Sequence, residues 1–228
     1  MSISAGKLEP TAVATMFDSI APVYDLMNTL MTAGLDRRWR RLTARRVVRA
    51  GDNVLDAACG TGELALADLR AGARTVVGLD FSPEMLACAR AKSSEIEWRE
   101  GDLSAIPFPD ASFQAATVGF GIRNVSDVGL ALRELERVLV TGGRVGILDI
   151  TRPRGALAPA LRAWFDHLVP LAGKLLPGGG AYSYLPASVR RFHTPQELAF
   201  ELSRAGFHDI RYRFLAGGIV TLHVGVST

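Results

Sequence analysis

Between residues 53 and 150 the chain alternates short apolar, β-branched runs with segments whose apolar positions recur at helical spacing. That rhythm predicts parallel strands joined by crossover helices. Asn53–Ala57 reads as the first strand, and a helix follows from Glu63 to about Ala71. Thr75–Asp80 is the second strand. Ser82-Pro83-Glu84 then supplies an N-cap, a first-turn proline and an early acid, opening a helix to about Ser93. Ile96–Glu100 is a third strand, and Phe113–Phe120 a fourth, apolar enough to be buried on both faces. Ser126 to about Val140 reads as a helix closed by Gly142-Gly143, and Arg144–Ile150 as the fifth strand.

Beyond residue 150 the rhythm breaks. Gly155–Gly180 is apolar but interrupted by Pro159, Pro170 and Pro177, which predicts short or kinked helices. Thr194-Pro195-Gln196-Glu197 is a capping box with proline at the first helical position, so a helix runs from there to Ala205 and Gly206 ends it. Asp209–Leu215 and Ile219–Val226, joined at Ala216-Gly217-Gly218, form an antiparallel hairpin because their connection is short. Ala12–Arg49 reads as helical and as a cover on one edge of the sheet. The expected architecture is one α/β domain over residues 1–228. It carries a helical cap at 12–49 and a helical insertion over the active site at 155–190.

Composition changes this picture little. A formal net charge of +3 is too small to argue for nucleic acid. The two cysteines, Cys59 and Cys88, are too few for a disulfide framework and lack metal-site spacing, so no metal is expected. The first residues do not form a signal peptide, and no segment is long and apolar enough to span a bilayer. The expectation is a cytoplasmic protein, with any membrane contact peripheral.

Chemistry concentrates at Val54-Leu55-Asp56-Ala57-Ala58-Cys59-Gly60-Thr61-Gly62, a strand running into a glycine turn that opens a helix. Small residues let backbone approach a ligand, and the helix start offers unpaired N–H groups. With Ala65 the stretch matches G-x-G-x-x-A, and Asp80 ends the second strand where a ribose-binding acid belongs. An adenosine-containing cofactor follows, either NAD or S-adenosylmethionine. Three features favour the latter. Asp56 in the loop approach would repel a pyrophosphate but can receive the amino group of a methionine tail. Asp102 can accept from adenine N6 while the Leu103 N–H donates to N1. The terminal antiparallel hairpin marks the class I methyltransferase sheet, a Rossmann-like, seven-stranded and mostly parallel arrangement. Phe81 is a candidate adenine contact, with a core position as the equal alternative. The plainer roles are a helix-capping acid for Asp80 and a turn former for Asp102.

Several separate motifs carry a wider resemblance. They are Phe17-Asp18, Tyr24-Asp25-Leu26-Met27-Asn28, Gly34, Arg37 and Trp39, then Ile106-Pro107-Phe108-Pro109-Asp110. Gly119-Phe120-Gly121-Ile122-Arg123-Asn124-Val125 follows, and Tyr182-Ser183-Tyr184-Leu185-Pro186, Ser188, Gly217-Gly218-Ile219-Val220 and Leu222-His223 complete the set. With these the chain resembles the menaquinone and ubiquinone biosynthesis C-methyltransferases, most closely those acting on demethylmenaquinone. The resemblance implies cofactor contacts at Thr61, Asp80, Asp102, Leu103 and Gly119. It implies a quinol site at Arg123-Asn124 and nearby aromatics, and it allows a homodimer. The chain departs from the family at Gly119 (usually serine), Asp36 (histidine), Val140-Thr141 (Lys-Pro) and Asp149 (glutamate). These departures are expected mostly at the cofactor periphery and in surface turns.

The implied reaction is methylation of a quinol ring carbon, in the menaquinone step, the ubiquinone step, or both. Arg123 is the expected phenolate-stabilising group, with Asn124 holding the oxyanion or a water; their plainer roles are a structural ion pair for Arg123 and a turn or cap residue for Asn124. A guanidinium is protonated at any working pH, so it is not itself a base. Tyr24, Tyr182 and Tyr184 could hydrogen-bond or pack the ring, and Asp25 could be an ion-pair partner or take the quinol proton. His193 reads as a turn residue, and neither His167 nor His223 has a visible partner. Arg37, Arg38, Arg40, Arg41, Arg45, Arg46 and Arg49, together with apolar Leu157–Leu176, predict salt-dependent contact with anionic lipid. Alternatives are an NAD-dependent oxidoreductase on the same loop, a methyltransferase for another small aromatic acceptor, and a cofactor-binding scaffold.

Overall fold

The computed structural model describes residues 10–152 and 188–228. Helices α1 (Pro10–Ile20), α2 (Tyr24–Thr32) and α3 (Leu35–Val47) come first. Then β1 (Asn53–Ala57), α4 (Glu63–Arg70), β2 (Thr75–Asp80), α5 (Pro83–Lys92) and β3 (Glu97–Glu100) alternate. β4 (Phe113–Gly119), α6 (Val128–Val138) and β5 (Leu139–Ile150) follow. After the undescribed stretch come α7 (Pro195–Arg204), β6 (Phe207–Leu215) and β7 (Val220–Ser227).

The seven strands form one sheet in the order β3-β2-β1-β4-β5-β7-β6. The first five are mutually parallel, and β7 runs antiparallel between β5 and β6. This is the class I methyltransferase sheet expected from the sequence. Alternation along β1 and β4 sends residues to opposite faces. Leu55, Ala116 and Val118 pack with Leu132 and Leu135 of α6 and Leu198 of α7. Val54 and Ala115 pack with Val47 of α3 and Ala65 of α4 on the other face.

Both predicted caps are formed. The Ser82 hydroxyl accepts from the Met85 N–H, and Thr194 and Glu197 make the reciprocal capping box. Two expectations are corrected. The helix expected from Ser126 to Val140 starts at Val128, capped by Asp127, and ends at Val138. Its expected Gly142-Gly143 stop lies inside β5, where the register jumps from Leu139 opposite Phe113 to Arg144 opposite Ala115. The apolar Leu139-Val140 pair joins the sheet rather than extending the helix, and the glycines form a bulge. The second correction concerns α3, which lies on a face and not along an edge. It packs across β4 and β5 beside α4. The kinked helices expected at Gly155–Gly180 lie outside the described residues, and no described helix is long and apolar enough to cross a membrane.

Seating α3 depends on Gly146 in β5. A Cβ there would collide with Val47, which is 1% exposed, and would press on Thr43. Valine in a helix has one favoured rotamer and cannot swing aside. Gly146→Ala therefore overpacks this face by about 1–3 kcal/mol. A melting temperature lower by roughly 5 °C is expected in calorimetry. An unchanged value would show that α3 does not rest on β5 in this way.

Candidate active site

A cavity of about 750 Å³ opens at the carboxyl ends of β1, β2, β3 and β4, the edge where open α/β sheets bind ligands. Of the sequence-predicted residues, Tyr24, Gly60, Thr61, Asp80, Phe81, Asp102, Leu103, Gly119, Arg123 and Asn124 line it. Asp25, Asp56 and Gly62 do not, and Tyr182 and Tyr184 lie outside the described residues.

Asp80 organises the cofactor end. Its Oδ2 accepts the Gly60 N–H at 2.7 Å and its Oδ1 accepts the Ser82 N–H at 3.0 Å. It does not cap α5, which Ser82 does, but it holds the capping residue in place and also lines the cavity. A carboxylate has about four acceptor sites, so ribose hydroxyls can share it. Burial pushes Asp80 up to about 6, the Ser82, Gly60 and Phe81 amides pull it down, and Asp18 pushes it further up. Asp102 forms the turn, its Oδ1 accepting the Ser104 N–H at 2.7 Å, and it also lines the cavity.

Gly62 shapes the loop without touching the ligand space. Its φ is +81°, and a Cβ there would strike the Trp98 ring. Asp56 is corrected more sharply. It is fully buried beneath the loop and absent from the cavity wall, so it does not meet a methionine amino group directly. Its Oδ1 lies 3.3 Å from Thr117 Oγ1, which donates to Asp68 Oδ2 at 2.6 Å. One hydroxyl has one proton, so both contacts are hydrogen bonds only when one of the two carboxyls carries a proton. Burial raises both carboxyls, and Arg40 pulls Asp56 back.

The paired motifs of the N-terminal helices divide their work. In Phe17-Asp18 and Tyr24-Asp25 the aromatic faces the cavity and the acid is an anchor. Ser82 Oγ donates to Asp18 Oδ1, and Thr61 Oγ1 donates to Asp25 Oδ1 at 2.6 Å. Lys92 bridges Asp25 and Glu63. Asp25 is therefore an ion-pair and loop-positioning residue, not a proton acceptor on the cavity. Phe17 packs edge-on against Tyr24 and Phe81 with ring centroids 6.2 and 6.3 Å apart.

At the acceptor end, Arg123 sits in a 3-10 turn just past β4. Its Nη1 donates to Asp149 Oδ1 at 2.6 Å and to the Phe120 carbonyl, and its N–H reaches Asp149 Oδ2 at 3.3 Å. Burial pushes Asp149 above the usual carboxylate range, while the Arg123 charge pulls it down. Arg123 Nε and Asn124 Oδ1 have no hydrogen-bond partner among the described residues. Two departures expected at the periphery are therefore central. Asp149, 3% exposed, pairs with Arg123, and Asp36, 4% exposed, pairs with Arg40 at 3.8 Å. At Gly119 a Cβ would press on Leu64 at 2.9 Å, so this loop has no room for serine unless Leu64 yields.

Of the histidines, His223 is buried and its Nε2 contacts the Pro195 carbonyl at 2.9 Å. Burial lowers its pKa to about 4, so it is a neutral pin between β7 and α7. His193 lines the cavity, where the sequence reading saw a turn residue. His167 lies outside the described residues. Residues missed by sequence reasoning are Arg40 and Asp149. For Arg40 a signal existed, because Asp36, Trp39, Arg40, Thr43, Ala44 and Val47 fall on one helical stripe, the buried face of α3.

The ubiE/COQ5 methyltransferase family profile matches residues 5–227. A demethylmenaquinone methyltransferase of Thermus thermophilus is 44% identical over 218 residues, covering 92% of this chain and 99% of the relative. A ubiquinone/menaquinone biosynthesis C-methyltransferase of Geotalea uraniireducens is 39% identical, covering 93% of this chain and 95% of the relative. Among solved structures, a [4+2]-cyclase, SpnF, shares the fold at TM-score 0.71 and 17% identity, over 96% of this chain and 97% of its own. A SAM-dependent methyltransferase of Thermotoga maritima does so at 0.66 and 18%, over 94% and 99%.

The ionised form of Asp80 is the better acceptor for ribose hydroxyls. Affinity for S-adenosylhomocysteine should therefore hold steady at neutral pH and decline as pH falls through about 6, approaching tenfold per unit. Asp80→Asn should bind weakly at every pH without that decline. Titration calorimetry from pH 8 to 5 checks this, and a flat wild-type profile would remove Asp80 from the ribose.

Proposed function

The chain belongs to the ubiE/COQ5 methyltransferase family, and from that premise we propose that it methylates a ring carbon of a polyprenylated quinol. The methyl donor is S-adenosyl-L-methionine. Its acceptor is demethylmenaquinol, the ubiquinone-pathway counterpart, or both. Family membership sets aside the NAD-dependent alternative. The residues fit the cofactor: Asp102 and Leu103 lie beyond β3 for adenine, Asp80 ends β2 for ribose, and Gly60-Thr61 leave backbone open for the tail. When bound, the cofactor supplies an electrophilic methyl on a sulfonium.

The observation that carries the acceptor reading is Arg123 held by Asp149 in the wall of the same cavity, next to the unpartnered Asn124 Oδ1. Ring-carbon methylation needs electron density pushed from a quinol oxygen into the ring, so the oxygen must lose proton density. A fixed cation beside that oxygen stabilises the developing phenolate. Asp149 keeps the guanidinium in place, and Asn124, whose Oδ1 is buried without a hydrogen-bond partner among the described residues, stands beside it. Phe17, Tyr24 and Phe81 give the ring an aromatic wall and exclude water.

Peripheral membrane contact is part of the same reading, because a polyprenyl tail resides in the bilayer. It is supported by exposed Leu26, Leu30 and Leu35 beside exposed Arg37, Arg38 and Arg41.

Purified protein given methyl-labelled S-adenosylmethionine and short-tailed demethylmenaquinol or its benzoquinol counterpart should label a ring carbon. The ratio of the two products identifies the pathway. Arg123→Lys should lower turnover roughly 100-fold with S-adenosylhomocysteine affinity within about twofold. Near-full turnover by this variant would remove Arg123 from the phenolate, and no transfer to either quinol would overturn the acceptor. Liposomes rich in anionic lipid should co-sediment the protein at low salt and release it as salt rises. Absence of binding at low salt would refute the membrane contact.

A further inference from the structure

Arg40 has no task in the chemistry described so far, yet its position is costly. It is 6% exposed on the inner stripe of α3, whereas the neighbouring Arg37, Arg38 and Arg41 face solvent. Its guanidinium carbon lies 5.1 Å from the centroid of the Phe120 ring. Among the described residues its carboxylate contact is Asp36, loose at 3.8 Å, and its Nε has no hydrogen-bond partner. Thr32 Oγ1 lies 3.0 Å from Asp36 Oδ1 and fixes that carboxylate in turn. A buried cation so poorly satisfied is destabilising unless an anion reaches it.

The sheet order says which anion. Asp102-Leu103 follows β3, Asp80 ends β2, Gly60-Thr61 follows β1, and Gly119 ends β4. These strands stand side by side as β3-β2-β1-β4. An adenosine with its base beyond β3 and its ribose on β2 must send its remaining substituent across the β1 loop towards β4. Arg40 waits there: it lines the cavity, and its Nη1 lies 3.7 Å from where a Cβ on Gly119 would stand. The glycine leaves the approach to that nitrogen open.

We propose that Arg40 is the receptor for the carboxylate of the cofactor's methionyl tail. The inference rests on the cofactor assignment above and extends it to the far end of the ligand. A guanidinium is permanently charged, weakly hydrated and forked, which suits a carboxylate. Stacking on Phe120 holds its plane, and Asp36 sets its direction from the protein side. Arg40 is thus a binding residue, not part of a lipid-facing arginine patch.

The test compares ligands that differ at the tail. Wild-type protein should bind decarboxylated S-adenosylmethionine roughly 10- to 100-fold more weakly than S-adenosylmethionine. Arg40→Met should weaken S-adenosylhomocysteine by a similar factor while holding 5′-methylthioadenosine, which lacks the amino-acid tail, within about twofold. Arg40→Lys should recover part of the loss. Equal affinity of the wild type for the two S-adenosyl ligands would overturn the proposal whatever the variants do. So would an equal loss of S-adenosylhomocysteine and methylthioadenosine in Arg40→Met, which would mark a purely structural arginine. Failure of the wild type to bind any of these ligands would instead overturn the cofactor assignment itself.

Discussion

The carboxylate of Asp80 is the point on which the ligand edge turns. It stands at the end of β2, yet it holds the Gly60 amide of the β1 loop and the Ser82 amide that opens α5. The β1 loop, already joined to β2 by the bond from the Cys59 N–H to the Leu79 carbonyl, is thereby tied to the start of α5 as well. Ser82 in turn caps α5 and donates to Asp18, so α1 is placed by the same cluster. Without this acceptor the loop amides would be buried and unpaired, which proteins rarely tolerate. The geometry of the cofactor end is a consequence of satisfying those donors.

Buried charge is handled differently at each end of the cavity. At the acceptor end, Arg123 and Asp149 neutralise each other at hydrogen-bonding distance. Beneath the loop, Asp56 and Asp68 lie on either side of Thr117 and keep a proton between them. Arg40 is left with a distant partner. A pair that is fully matched stabilises geometry, and a cation that is only half matched retains affinity for an incoming anion. The site is thus polarised before any ligand arrives, with firm pairing beside the acceptor and unspent charge beside the tail.

Much of this was legible in the sequence because the signals are local. Strand β1 and β2 boundaries, the Ser82 cap, the Thr194 capping box and the terminal hairpin follow from spacing within a few residues. The glycine loop and Asp80 were readable for the same reason, since one strand-turn-helix unit and the following strand contain them. What escaped depends on partners far apart in the chain. Asp149 meets Arg123 across two parallel strands, 26 residues away. Asp56 passed for a ligand contact because nothing near it in sequence announces Asp68 or Thr117. Arg40 was hidden in a run of arginines, although helical periodicity separates it from its exposed neighbours. The Val138-Leu139-Val140 run is ambiguous by nature, as both a helix end and a strand start accept it.

The N-terminal helices join the cofactor loop and α5 through side chains, Asp18 to Ser82 and Asp25 to Thr61, and not through a backbone ladder. Phe17 and Tyr24 ride on those helices into the cavity wall, while Gly60, Asp80 and Asp102 belong to the sheet edge. Natural variation can therefore reshape the wall around a larger or smaller ring system without disturbing the donor half, provided two acids and two hydroxyls persist. The loop that carries Thr61 and the start of α5 are thus joined to the helices that carry Phe17 and Tyr24 at two side-chain contacts, and a change in one of these aromatic rings leaves the sheet edge itself intact.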